Sequence, residues 1–200
     1  MKRLFGLLVV IFIANMGQAF ATDCTVGAEV KDGTTVIGYA FYCKDNSESQ
    51  KLLAKSTFEA YFGTKLVGLM AAPQDQGKMK WSDAYSVTGV TATHVGGGIS
   101  NTIALRKEGF PAANLCYDKG QGDASIWQTQ WFLPSKDELN LMHKELFSDG
   151  NNKGKFSDDW YWSSSEVDVF YAWIQVFTSG TQRHDFKDDH DVRVRCARAF

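Results

Sequence analysis

Residues 131–139 read Trp-Phe-Leu-Pro-Ser-Lys-Asp-Glu-Leu, residues 160–166 read Trp-Tyr-Trp-Ser-Ser-Ser-Glu, and residues 192–200 read Val-Arg-Val-Arg-Cys-Ala-Arg-Ala-Phe. These stretches have the composition of a structural framework and contain no recognisable catalytic motif. The segments between them mix aromatic, charged and small residues in an arrangement that no single reaction chemistry requires, namely residues 167–171, 183–186 and 188–191. The contrast predicts a rigid scaffold that presents loops as a binding surface.

The clearest predicted helix begins after Ser135. The hydroxyl of Ser135 can cap the first turn, and Glu138 completes a Ser-x-x-Glu capping box. Leu139, Met142 and Leu146 then recur on one face at helical spacing. The pattern predicts a helix that packs on a sheet.

The rest of the chain predicts an α+β domain with a mixed or antiparallel sheet, a few helices and long ordered loops. β-Branched and aromatic residues indicate strands at residues 34–43, 65–72, 160–164, 172–177 and 191–199. Helices are predicted at residues 45–62, with Gly63 as the stop, and more briefly at residues 100–107 and 112–117. Residues 81–98 and the segments between 166 and 191 are interpreted as loop.

The amino terminus has the features of a secretory signal peptide. Lys2 and Arg3 precede an apolar run at residues 4–14, and Ala-Phe-Ala at residues 19–21 offers a cleavage site. We therefore expect residues 1–21 to be removed and residues 22–200 to form a single domain of roughly 180 residues, exported to the periplasm, the cell surface or the medium. The apolar run is too short for a membrane span, and Asp23 before Cys24 is a poor match to lipoprotein processing.

Charge argues against a polyanionic partner. Loss of Lys2 and Arg3 with the signal peptide changes the formal net charge from -2 to -4, so no cationic excess remains. Binding to nucleic acid is therefore not expected.

Cys24, Cys43, Cys116 and Cys196 all lie in the exported part of the chain. An even number of cysteines in an oxidising compartment favours disulfides, and their wide spacing excludes a Cys-x-x-Cys motif. Three pairings are possible. We favour Cys24 with Cys43 and Cys116 with Cys196, because the first two bracket an amino-terminal hairpin.

Short motifs follow in a fixed order over residues 36–200: Phe-Tyr at 41–42, Gly-Leu-Met-Ala-Ala at 68–72, Asp-Gln-Gly at 75–77, Trp81, Asn-Thr at 101–102, Ala-Ala-Asn-Leu-Cys at 112–116, the 131–139 stretch, Tyr-Trp-Ser-Ser-Ser-Glu at 161–166, Ala-Trp at 172–173 and Val-Arg-Cys-Ala-Arg at 194–198. In this order they resemble the carboxy-terminal domain family of the Legionella collagen-like adhesin. The resemblance implies a C-type lectin-like fold and a role in adhesion.

Two departures limit what that resemblance implies. The helix predicted between Cys43 and Thr64 replaces a short hairpin turn, and no Gly-x-y collagen stalk precedes the domain. Trimerisation and glycosaminoglycan binding are therefore not carried over, and the oligomeric state stays open.

The carboxy-terminal part also resembles the variable proteins of diversity-generating retroelements, whose C-type lectin-like domains vary at positions encoded by altered Asn codons. Trp173, Gln175, Gln182 and Lys187 cannot arise from such codons and are predicted to be framework. The following residues, which altered Asn codons can encode, are our candidate ligand-binding positions: Val167, Asp168, Val169, Phe170, Tyr171, Thr181, Arg183, His184, Asp185, Phe186, Asp188, Asp189 and His190.

Trp160, Tyr161, Trp162 and Trp173 could stack on sugar rings, but most of them are predicted to be buried in the core. Phe170 and Tyr171 are the better candidates for exposed contacts. The serines at residues 163–165 have no nucleophile motif around them and are predicted to bond neighbouring backbone groups.

The acidic and histidine residues near the end could in principle hold a divalent cation, but a hydrated loop is the simpler interpretation. We expect no cofactor and no enzymatic activity. The predicted function is a ligand-binding or adhesin-type domain for a protein or glycan on a host or neighbouring cell. The alternatives are a glycan-directed hydrolase that uses Glu166 and Asp168 as a carboxylate pair, and a structural surface protein without a small ligand.

Overall fold

The computed structural model describes residues 23–107, 109–120, 130–148, 150 and 152–200, so the predicted signal peptide lies outside the described residues. Its strands and helices follow in the order β1 (Glu29–Asp32), β2 (Thr35–Cys43), α1 (Ser47–Gln50), α2 (Lys55–Phe62), β3 (Gly68–Ala71), β4 (Gly77–Lys78), α3 (Gly97–Leu105), α4 (Pro111–Lys119), α5 (Lys136–Leu146), β5 (Trp160–Glu166), β6 (Tyr171–Val176), β7 (Gln182–Phe186), β8 (Arg193–Val194) and β9 (Ala197–Ala199).

The strands form two sheets, and the α+β prediction is confirmed. One sheet has the order β1-β2-β3-β9 and the other has the order β4-β8-β5-β6-β7. All pairings are antiparallel except the one between β5 and β8. Because β8 and β9 belong to different sheets, the last residues of the chain connect the two sheets. The strand predicted at residues 191–199 is therefore two short strands.

The helix predicted at residues 45–62 is interrupted. Asn46 caps α1 with its side chain, and the chain then turns before α2 begins at Lys55. Gly63 ends α2 with φ +86°, as its position predicted. Phe58 and Phe62 are the buried residues of α2, and Leu53, in the turn before it, is also buried. Leu52 is 54% exposed. The segment therefore faces the core through Leu53, Phe58 and Phe62.

The capping box of α5 is confirmed. Ser135 Oγ accepts a hydrogen bond from the Glu138 amide, and Glu138 Oε2 accepts one from the Ser135 amide at 2.7 Å. Leu139, Met142 and Leu146 are fully buried and pack in one core cluster with Tyr161 of β5. The predicted apolar stripe of this helix therefore lies on the sheet.

Both predicted disulfides are present. Cys24 is bonded to Cys43 and Cys116 to Cys196. The second bond joins α4 to the segment between β8 and β9, and thus fixes a helix to the connection between the two sheets.

Buried polar side chains anchor the framework strands. Arg195 is completely buried, and its guanidinium donates to Asp75 Oδ1 at 2.7 Å and to the carbonyls of Ala72, Gly154 and Lys155. These bonds hold the connection between β8 and β9 against the turn after β3.

The predicted burial of the β5 aromatic residues is confirmed for two of them. Tyr161 and Trp162 are fully buried, whereas Trp160 is partly exposed. The indoles of Trp81 and Trp162 donate to the carbonyls of Ser163 and Met79. These long-range bonds bring residues 79–90 alongside β5.

Candidate ligand-binding face

The candidate ligand-binding positions are all exposed or partly exposed. Residues 167–170 form the turn between β5 and β6, Thr181 lies in the turn between β6 and β7, and residues 188–190 follow β7. Buried residues lie between these positions, namely Ala172, Ile174, Gln175 and Val176 of β6, and Lys187, which follows β7. Trp173 and Gln182, which are also predicted to be framework, are partly exposed. The structure thus separates the accessible candidate positions from a buried set in β6 and at Lys187.

Residues 183–186 were predicted to be loop, and this prediction is wrong. They belong to β7, the edge strand of its sheet, which pairs with β6 from Tyr171 opposite Phe186 to Gln175 opposite Gln182. Since side chains alternate between the two sides of a strand, β7 divides the candidate residues into two groups.

Strands β6 and β7 together form a two-stranded ribbon, the β6–β7 ribbon. Aromatic side chains meet on one side of it. They form the aromatic patch, which we define as Tyr85, Phe170, Tyr171, Trp173, His184 and Phe186. Tyr85, Phe170 and Phe186 are 46%, 48% and 47% exposed. Apolar rings of this size in contiguous contact at a surface mark an interaction site more often than isolated ones do.

Ring contacts run without a gap along the patch. The ring centroid of Tyr171 lies 4.6 Å from those of both His184 and Phe186. Phe170 then contacts Tyr171 at 6.3 Å and Tyr85 at 5.4 Å. At the other end, the Lys136 ammonium lies 4.3 Å from the centroid of a ring of Trp173. The prediction that Phe170 is exposed and Tyr171 available for contact agrees with this arrangement.

Arg183 and Asp185 lie on the opposite side of the ribbon. Arg183 stacks over the Trp160 ring at 4.1 Å and lies 3.7 Å from the Asp185 carboxylate. Thr181 is separated from the Phe186 end of the ribbon by the length of β6, about 17 Å at the usual rise per residue. The structure therefore does not bring all the candidate positions to one face.

Sequence reasoning missed Tyr85 and the neighbouring Val87, which is 72% exposed. Both lie in the segment interpreted only as ordered loop. Tyr85 is hydrogen-bonded to Asp188, and this bond raises the pKa of the Tyr85 hydroxyl above its ordinary value. The contacts of Tyr85 with Phe170 and Asp188 join residues that are remote in sequence, so local patterns could not predict them. The only sequence signal for a contact surface here was the presence of apolar residues in a segment without helical or strand periodicity.

A buried ion pair lies directly beneath the patch. Lys187 Nζ donates to Glu166 Oε1 at 2.5 Å and to the Ser86 carbonyl at 2.8 Å. Glu166 also accepts bonds from the amides of Thr88 and Gly89, at 2.9 Å each. The pair therefore joins the end of β5 and the end of β7 to residues 85–89, which we call the Tyr85 loop.

Burial alone would raise the pKa of the Glu166 carboxyl. The Lys187 ammonium and the amides of Thr88 and Gly89 outweigh burial and hold that pKa below its ordinary value. Glu166 is thus a buried, ionised structural group. Asp168 uses Oδ1 to accept bonds from the amides of Phe170 and Tyr171. The alternative of a hydrolase that uses Glu166 and Asp168 gains no support, because the Glu166 carboxylate is not accessible.

The predicted framework residues make framework contacts. The side-chain amide of Gln175 donates to the Gly180 carbonyl, and the side-chain amide of Gln182 donates to the Lys136 carbonyl, both at 2.8 Å. Trp173 contributes its ring to the patch and its backbone carbonyl to a bond from Ser163. Framework and patch therefore overlap at Trp173.

The serines after Trp162 bond neighbouring groups, as predicted. Ser165 Oγ donates to the Ala92 carbonyl at 2.7 Å and accepts from the Lys136 amide at 3.0 Å. Asn101 donates to Ser164 Oγ. These bonds fix the irregular stretch of β5 against residues 92–101 and the start of α5.

Within the described part of the chain, no three His, Cys, Asp or Glu side chains converge to hold a metal ion. None of the described helices has the length and apolar character needed to cross a membrane.

Comparison with known proteins yields a distant likeness of fold. No protein-family model matches the chain. No curated protein matches it with significance. Among solved structures, the chain is similar to a fimbrial protein from Bacteroides ovatus ATCC 8483, with a TM-score of 0.51 and 16% identity. The similarity covers 88% of this chain and 49% of that chain, so this chain spans about half the length of that structure.

Proposed function

We propose that this chain is an exported, C-type lectin-like surface domain that binds its ligand through the aromatic patch and the turns beside it. The observation that carries the proposal is the separation of side chains in residues 166–191. The candidate contact residues are accessible, whereas Ala172, Ile174, Gln175, Val176 and Lys187 are buried. Substitution at accessible positions usually changes stability little, so such a face can specialise without loss of the fold.

Three further observations support the proposal. The two disulfides suit an oxidising compartment outside the cytoplasm. The fimbrial protein with a similar fold is a surface protein by its name. The motif order that resembles the Legionella adhesin domain family includes Arg195, Tyr161 and Trp162, and all three are fully buried. A role for these residues in the framework is consistent with that family resemblance.

The candidate positions, which altered Asn codons could reach, are all accessible. Gln175 and Lys187, which such codons cannot reach, are fully buried, whereas the equally unreachable Trp173 and Gln182 are partly exposed. We therefore propose that the face is diversified by a retroelement. Sequencing the DNA around codons 160–200 in several isolates tests this. A nearby imperfect copy that differs only opposite adenines supports diversification, and invariant codons without such a copy leave a binder of fixed specificity.

Adhesion tests the binding proposal itself. Beads coated with the mature domain are measured against arrays of immobilised glycans and cell-surface proteins. The triple variant Tyr85→Ala/Phe170→Ala/Phe186→Ala should lose capture of any specific target. The matched control is Leu52→Ala/Ile103→Ala, whose side chains are 54% and 48% exposed elsewhere on the surface. Equal loss in both variants, or equal retention, contradicts the assignment of the patch.

A further inference from the structure

Acidic side chains predominate in the turns at the Phe170 and Phe186 end of the aromatic patch. Asp168, Asp188 and Asp189 lie in the turns that carry these rings, and Asp168 and Asp188 are exposed. Among the described residues, no lysine or arginine forms an ion pair with any of the three. The patch thus combines exposed aromatic faces with carboxylates that have no cationic partner.

The basic residues closest in sequence to these turns are engaged with other groups. Arg183 lies on the opposite side of the ribbon, 3.7 Å from the Asp185 carboxylate, and Lys187 is buried against Glu166. Lys80, the basic residue before Tyr85, lies 3.9 Å from Asp83. These three residues therefore form no ion pair with Asp168, Asp188 or Asp189.

The rings themselves do not form a flat platform. Neighbouring planes in the patch are inclined by 42° between Tyr171 and Phe186 and by 64° between Tyr85 and Phe170. Trp173 and His184 meet at 81°. Inclined rings present their faces and edges to the solvent at different angles, and both ring faces and carboxylates attract cations.

On the basis of the function proposed above, we infer that the partner is a polypeptide surface that packs arginine or lysine side chains onto the exposed rings of Phe170 and Phe186. The alkyl stem of that side chain lies on the rings, and its charged head meets Asp168, Asp188 or Asp189. Arginine suits the site better than lysine, because its planar guanidinium stacks on aromatic faces and binds carboxylates with two bonds.

Other ligand classes fit this chemistry less well. A sulfated or carboxylated glycan would bring anions to an unneutralised acidic rim. A neutral oligosaccharide stacks successive sugars on rings with similar orientation, and the inclined planes of the patch do not offer that. The charge and the ring geometry therefore both favour a basic polypeptide segment.

Selection from a phage library of random short peptides on the disulfide-bonded mature domain tests the inference. We expect the selected peptides to be enriched in arginine, then lysine, and to lose binding to Tyr85→Ala/Phe170→Ala/Phe186→Ala. The triple variant Asp168→Asn/Asp188→Asn/Asp189→Asn keeps the rings and removes the charges, and should weaken binding about tenfold or more, with a matching loss of salt sensitivity. The control Glu48→Gln/Asp118→Gln/Glu145→Gln, which neutralises exposed acids elsewhere, should leave binding unchanged.

Each other outcome is decisive. Two results would overturn the inference but leave the proposed binding face intact. One is that the selected peptides depend on the rings but lack arginine and lysine. The other is that they bind Asp168→Asn/Asp188→Asn/Asp189→Asn as tightly as the wild type. Capture of glycans at the patch in place of peptides does the same. No ligand of any kind that depends on the rings overturns both the inference and the proposed face.

Discussion

At the scale of single residues, the Glu166–Lys187 pair decides whether the candidate face keeps its shape. Sequence predicted Lys187 as framework, but its partner could not be predicted, because Glu166 and the Ser86 carbonyl reach it through contacts remote in sequence. The pair is almost inaccessible, with both side chains 1% exposed. The pair joins three segments that are also linked by backbone hydrogen bonds, from Trp81 and Ser82 to Lys187 and from Glu166 to Val90.

Removal of one partner should therefore be strongly destabilising. We expect Lys187→Met to lower the free energy of unfolding by about 3–5 kcal/mol, since it leaves a buried carboxylate without its cation. The double variant Glu166→Gln/Lys187→Met removes both charges and should recover at least half of that loss. Chemical denaturation of the wild type, both single variants and the double variant measures the coupling. Additive effects would show that the pair does not act as a unit.

The same pair predicts an acid dependence of stability. Because the folded-state pKa of Glu166 is lowered from 4.5, the unfolded chain binds the proton more readily than the folded chain does. The contribution of Glu166 is thus present above pH 4.5 and is lost as the pH falls through the folded-state pKa. Denaturation curves of the wild type should show a steeper loss below that pH than curves of Glu166→Gln/Lys187→Met. Parallel pH profiles would contradict the assignment.

At the scale of elements, local signals predicted α5 well and β7 not at all. The capping box and apolar stripe of α5 are encoded within one short segment, so sequence alone suffices. β7 is an edge strand with exposed or partly exposed residues on both sides, and therefore lacks the apolar alternation that identifies a strand. Only its pairing with β6 makes it a strand.

The start of α5 also supports the candidate face. Ser135 Oγ donates to the His94 carbonyl and accepts from Glu138, and Lys136 then contacts Trp173, Gln182 and Ser165. We expect Ser135→Ala to lower the free energy of unfolding by about 1–2 kcal/mol, through loss of the cap and of the bond to His94. Thermal and chemical denaturation measure this, with Ser148→Ala, at the exposed end of the helix, as the control. An equal effect of both changes would argue against the special role of the cap.

At the scale of the whole molecule, the two disulfides constrain loops of very different size. Cys24 and Cys43 are separated by 19 residues and Cys116 and Cys196 by 80. On chain-entropy grounds, loss of the longer link should lower the free energy of unfolding by about 4–5 kcal/mol, against about 3 kcal/mol for the shorter one. Denaturation of Cys116→Ala/Cys196→Ala and Cys24→Ala/Cys43→Ala gives the comparison. A larger effect of the shorter link would contradict the entropic account.

The candidate face as a whole was only partly predictable. Codon reachability and the contrast of compositions indicated Phe170, Tyr171, His184 and Phe186 correctly as accessible residues. Neither signal could place Tyr85, which joins the patch through contacts remote in sequence, including its bond to Asp188 and the bond from Lys187 to the Ser86 carbonyl. Nor could they show that Arg183 lies on the opposite side of the ribbon, since that follows from the register of β6 and β7.

The central claim is that residues 166–191 separate a tolerant face from a fixed framework, and a deep stability scan tests it most directly. Every single substitution in this range is displayed on cells and scored by resistance to proteolysis. We predict a median loss within about 0.5 kcal/mol at the accessible candidate positions. At the buried residues Ala172, Ile174, Gln175, Val176 and Lys187, we predict about 2 kcal/mol or more. Equal sensitivity of the two sets would contradict the account.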